Sequence, residues 1–169
     1  HGEKLRGVAV LDSPIRPAEE QRRSSPPSRG GTVYPSFQAA MERFRLLPEQ
    51  PCANAFLLDH IARQSLKEAT RPDGSPGWTW KFDPKLWDKL HYDRPPPAQL
   101  ADRLNTRVAL FRGQDSRLVT DEIWAFMRET FGPETSMISI PDAQHHLILD
   151  QPIAVAAALE VLTGPGWGV

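Results

Sequence analysis

The chain of 169 residues has one cysteine, Cys52, little net charge at −1, and no apolar run long enough to cross a membrane. A single cysteine excludes an internal disulfide framework and a cysteine-based zinc site. The charge balance argues against a nucleic-acid partner, because such surfaces carry a basic excess. The one basic stretch, Arg16 to Arg29, is broken by prolines and serines and reads as a solvated loop. A bilayer needs about 20 consecutive apolar residues, so no membrane partner is expected. The first residues carry no signal-peptide pattern, and one free thiol suits a reducing compartment, so the expected location is cytoplasmic. The sequence also lacks any Gly-x-Ser-x-Gly turn, the elbow that exposes a serine nucleophile between a strand and a helix.

Proline, by contrast, is plentiful at 17 residues, twice the usual usage of about 5%. The excess lies between residues 14 and 97, and the flanks are leaner. Such a shift suggests short helices and loops inserted between two parts of a more regular core. The expected division is therefore an α/β core from residues 1–15 and 101–169, with a helical cap over residues 16–100.

Leu5 to Leu11 is a short apolar run that ends in Asp12-Ser13-Pro14. Uninterrupted apolar runs between turn residues suit strands buried on both faces. Arg107 to Arg112 repeats the pattern and runs into Gly113-Gln114-Asp115; Met137 to Ile140 repeats it again. Within the insertion, Ser36 caps an expected helix over Phe37 to Leu47, and a second amphipathic helix is expected over Ala53 to Ala69. Turns follow at Pro72-Asp73-Gly74 and Pro76-Gly77, then an extended Trp78 to Pro84 and a short helix over Lys85 to Leu90. Pro95-Pro96-Pro97 reads as a stiff connector. Beyond it, Thr120 or Asp121 caps a helix to Phe131, and Pro152 opens a last helix to Leu162. Strands alternating with helices predict a parallel sheet. Three strands are few for a closed core, and the chain is expected to be part of a larger domain.

The chemistry gathers after the strands. Ser136-Met137-Ile138-Ser139-Ile140-Pro141-Asp142-Ala143-Gln144-His145-His146 is a strand followed by a polar loop with two histidines. Open α/β sheets place their chemistry at the carboxyl ends of the strands. Imidazole suits a base that takes a proton from a hydroxyl and returns it to a leaving group. A metal site at the two histidines is disfavoured: adjacent side chains point apart, and no further ligands follow at suitable spacing.

These segments resemble the C-terminal half of the α/β-hydrolase superfamily, over essentially the whole chain. The pattern is a histidine, an acid five positions on and a proline two further: His145, Asp150 and Pro152. The phrase Gly77-Trp78-Thr79-Trp80-Lys81-Phe82-Asp83-Pro84 resembles caps of the same superfamily. The resemblance implies that His145 is the general base and His146 its structural neighbour. It places the acid commonly three residues after the glycine of the penultimate strand. That position is Ser116 here, with Asp115 one residue early. Some members carry the acid at the end of the strand before the cap, which here is Asp12. Asp115 is the first choice and Asp12 the second. Trp78, Trp80, Phe82 and Trp87 would form an apolar wall for substrate or the cap's own small core.

The function implied is hydrolysis of a small, largely apolar, ester-like substrate through an acyl-enzyme, with no cofactor. The family also holds epoxide, dehalogenating and carbon–carbon hydrolases, which the nucleophile partly separates. Ser24, Ser25, Ser28 and Ser75 sit in proline-rich loops with no strand before them, so none is an elbow serine. This chain alone is expected to be inactive, and to associate, as a homo-oligomer or otherwise, through an exposed sheet edge. The alternative is a non-catalytic binding protein of the same fold.

Overall fold

The computed structural model describes residues 4–20, 31–86, 95–104 and 106–164. The chain divides into two compact units, His1–Gln21 with Arg94–Val169, and Arg22–Asp93.

The first unit is built on a parallel three-stranded sheet. Its strands are β1 (Gly7–Leu11), β4 (Arg107–Gly113) and β5 (Ser136–Ile140), in the order β1-β4-β5. Gly7 to Leu11 stand opposite Arg107 to Phe111, and Ala109 to Gly113 opposite Ser136 to Ile140. The central strand holds both cores together because its apolar run alternates between faces. Leu110 packs with Val119, Ile123 and Met127, the last two from helix α4 (Asp121–Phe131). Ala109 and Phe111 face the other way, onto Ile140, Ala143, Leu147 and Val155. Leu147 belongs to the short helix α5 (Leu147–Asp150) and Val155 to α6 (Pro152–Leu162). Ala109, Leu110 and Phe111 are wholly buried.

The ends of α4 follow from single residues. Thr120 takes the N-cap position, and its hydroxyl accepts from the Ile123 amide. Gly132 ends the helix at φ 82°, a conformation that favours glycine. Pro152 stands at the first turn of α6, where a missing N–H costs nothing. The same rule corrects the reading of Pro95 to Pro97 as connector throughout: Pro97 opens helix α3 (Pro97–Arg103).

The second unit contains α1 (Phe37–Met41), α2 (Ala55–Gln64) and an antiparallel hairpin of β2 (Leu66–Thr70) and β3 (Pro76–Trp80). The first strand of the hairpin corrects the end of the expected helix over Ala53 to Ala69. α2 stops at Gln64, where the Ser65 amide and hydroxyl both donate to the Ile61 carbonyl. Leu66 to Thr70 have modest strand propensity, and pairing decides their state. Asp73 accepts from the Ser75 amide at 2.9 Å and Gly74 adopts φ 82°, a tight turn that folds β2 onto β3. Pro76-Gly77 begins the returning strand rather than forming a second turn. α1 is also shorter than expected, ending at Met41 rather than Leu47. The expected helix from Lys85 to Leu90 falls largely outside the described residues.

Candidate active site

The site lies in the first unit and begins at the carboxyl end of β1. The Asp12 amide donates to the Phe111 carbonyl at 2.8 Å, continuing the ladder one residue beyond the strand. Asp12 then turns into the left-handed region at φ 46°, a conformation aspartate tolerates better than most residues. The turn sends its carboxylate inward, and Asp12 is completely buried.

A buried carboxylate must be satisfied by donors. Asp12 Oδ1 accepts from the Gly113 amide at 2.9 Å. Oδ2 accepts from the Ser116 hydroxyl at 2.6 Å and meets His145 Nδ1 at 2.9 Å. With both oxygens engaged as acceptors, Nδ1 carries the proton of the Asp12–His145 bond. Nε2 then keeps its lone pair, the state a general base needs. The His145 side chain is 24% exposed, so the ring is reachable while its acid is not.

The histidine loop is fastened from three sides. Asp142 at φ 51° turns the chain after β5. The Gln144 amide, immediately before His145, donates to Asp150 Oδ2 at 2.8 Å. That bond gives a physical reason for an acid five positions after the histidine. The exit of β4 supplies the third side: the Gln114 amide donates to the Ile140 carbonyl and the Asp115 amide to the Ala143 carbonyl. The two loops run so close that a Cβ on Gly113 would overlap the Ala143 and Gln144 carbonyl oxygens. Gly113→Ala is therefore expected to destabilise the protein by about 1–3 kcal/mol, the usual cost of overpacking. It should also weaken the Asp12–His145 contact. Denaturant unfolding and the His145 ring signals by NMR measure the two effects, and unchanged stability with unchanged signals would disprove the requirement.

The residues expected from sequence thus separate. Asp12 and His145 come together. Asp115, the first choice for the acid, is exposed, and its amide serves to hold the histidine loop. At the β4 exit it is Ser116, through its hydroxyl, and not Asp115 that meets Asp12. His146 packs its ring edge-on against His145, centroids 4.8 Å apart. Among the described residues no group of three His, Cys, Asp or Glu side chains is arranged to hold a metal ion.

Trp78 and Trp80 lie on one face of β3 in the second unit. Trp78 meets Phe37 edge-on at 4.9 Å, and Trp80 packs against Phe44 at 5.8 Å. Both belong to that unit's own aromatic cluster. Phe82 is 57% exposed. Trp87 lies outside the described residues, as do Ser24, Ser25 and Ser28. A cavity of about 500 Å³ lies at the amino ends of β4 and β5, lined by Leu104, Val108, Phe131 and Glu134 among others. It lies at the opposite end of the strands from Asp12 and His145. Sequence reasoning misses Gly113 and Ser116 as parts of the site. The spacing from Gly113 to Ser116 is the signal that could have found them.

No protein-family model and no curated protein sequence matches the chain. Solved structures do. E-2-(acetamidomethylene)succinate hydrolase superposes with a TM-score of 0.68 at 17% identity, over 95% of this chain and 59% of its own. A thioesterase domain from the curacin biosynthetic pathway superposes with a TM-score of 0.61 at 15% identity, over 94% and 58%. The chain has the α/β-hydrolase fold. An esterase from Mycobacterium tuberculosis matches a smaller share, 78% of this chain and 42% of its own, with a TM-score of 0.56 at 20% identity. These neighbours are hydrolases and esterases, and the chain spans 59% and 58% of the first two. Within this fold, Asp12 follows β1 and His145 follows β5. No helix among its described residues is long and apolar enough to cross a membrane.

Proposed function

We propose that this chain supplies the general base and the acid of a hydrolase that works through a nucleophile, a histidine and an acid. His145 is the base and Asp12 the acid. The observation that carries the reading is the Asp12–His145 hydrogen bond at 2.9 Å, with the acid wholly buried and the histidine within reach of solvent. In such a site, His145 Nε2 takes the proton of an attacking hydroxyl, and Asp12 stabilises the imidazolium that forms. The same nitrogen then protonates the leaving group. The substrate class is a small, largely apolar ester. The nucleophile and the oxyanion donors come from sequence that this chain does not contain. No cofactor enters these steps.

The test begins with the coding sequence upstream of His1. A short-chain nitrophenyl ester is assayed with the 169-residue chain and with the protein extended upstream. Turnover is expected only from the extended protein, and only while His145 is present. If no strand, Gly-x-Ser-x-Gly-like turn and helix is encoded upstream, or if His145→Ala leaves turnover intact, the reading fails. A non-catalytic binding protein of the same fold is then the better description.

A further inference from the structure

The Ser116 hydroxyl has three neighbours. It is 2.6 Å from Asp12 Oδ2, and it accepts from the Leu118 and Val119 amides at 3.1 Å each. A hydroxyl has one proton and two lone pairs. Two backbone N–H groups occupy the lone pairs, so the proton has one place to go, the Asp12 carboxylate. The Ser116 amide in turn donates to the Gly113 carbonyl at 3.0 Å, which ties the residue to the end of β4. The donor is therefore fixed in position and in direction.

Asp12 needs such a donor. The last torsion of an aspartate is broad and two-fold, so the backbone alone does not set the carboxylate plane. Here Gly113 N–H holds Oδ1 and Ser116 O–H holds Oδ2. Between them they fix the plane and leave one lone pair of Oδ2 for His145 Nδ1.

We infer that Ser116 is the positioning residue of this site: its hydroxyl aims Asp12 at His145 Nδ1 and so selects the tautomer with a free Nε2. The inference rests on the reading of Asp12 and His145 as a catalytic pair. Ser116 touches no reacting atom and acts only through Asp12. The hydroxyl acts on the tautomer by removing the alternative carboxylate orientations in which Nδ1 has no acceptor.

The experiment is NMR on the 169-residue chain with nitrogen-15 histidine, reading the His145 tautomer across a pH titration. In the parent chain the neutral ring is expected to be overwhelmingly Nδ1–H. Ser116→Ala should lower the tautomer ratio on the order of tenfold, the scale of one hydrogen bond to a charged group. Ser116→Thr, which keeps the hydroxyl, should restore the parent ratio. Should the alanine variant not fold, Ser116→Cys keeps nearly the same shape with a weak donor, and it must show a loss of the same kind. Full retention of Nδ1–H in either the alanine or the cysteine variant overturns the inference. Asp12→Asn separates the two levels. Loss with Asp12→Asn but not with Ser116→Ala or Ser116→Cys removes only the role of Ser116. No loss even with Asp12→Asn removes the pair itself.

Discussion

In a protein that joins this chain to its nucleophile, Asp12→Asn is expected to lower kcat by about 10⁴-fold, the scale of a lost triad acid. Asp115→Asn should leave kcat within roughly threefold, as for an exposed surface change. The difference follows from what each side chain meets. In the Asp12→Asn variant, the carboxamide oxygen can still accept from the Gly113 amide, but then its NH₂ faces Ser116 and His145. An NH₂ group cannot accept the Nδ1 proton. The ring is driven to the tautomer with the proton on Nε2, where it can no longer act as a base. Asp115 contributes its backbone amide to the Ala143 carbonyl, and that amide survives the substitution. Ester turnover and unfolding midpoints of both variants decide the matter. Loss of turnover with Asp115→Asn at unchanged stability, and none with Asp12→Asn, would restore Asp115 as the acid.

The 169-residue chain is expected to self-associate, and Ala9→Pro to return it to monomer. Among the described residues, β1 is hydrogen-bonded to β4 alone, which leaves its other edge open. All five residues of β1 are only half-buried, though the strand is apolar throughout. An open, apolar edge strand is a template for pairing with another chain. The Asp12 amide points to β4, and in a parallel ladder alternate residues point the same way. Val10 and Val8 therefore face β4, while Ala9 and Leu11 face the open side. Proline at residue 9 removes an outward N–H and no ladder bond, the placement in which an edge strand tolerates it. Sedimentation velocity over a concentration series measures the effect. A parent chain that stays monomeric at high concentration sinks the idea. So does a folded Ala9→Pro variant that associates to the same extent.

Several features are legible in the residues because they depend on local chemistry. The runs at Val8, Val108 and Met137 are short, mostly apolar and bounded by turn residues, the pattern of strands. Thr120, Gly132 and Pro152 mark helix ends through groups they carry or lack. The Asp73-Gly74 turn is visible as well, but its consequence is not. Leu66 to Thr70 look equally suited to ending a helix, and only pairing across to Trp78 and Trp80 makes them a strand.

The site divides along the same line. Residue order alone establishes an α/β chain with a histidine after its last strand and two acids, Asp12 and Asp115, after the strands before it. Ranking the acids by spacing from Gly113 favours Asp115, since spacing counts residues and takes no account of direction. Direction comes from contacts between segments far apart in the chain. Gly113 admits the His145 loop only because it lacks a Cβ, and Asp12 reaches inward only through a left-handed turn. Ser116 closes the arrangement by donating to a carboxylate 104 positions away. Hydrogen bonds of this kind depend on fractions of an ångström and on angle, quantities that the packed strands supply and a residue count does not.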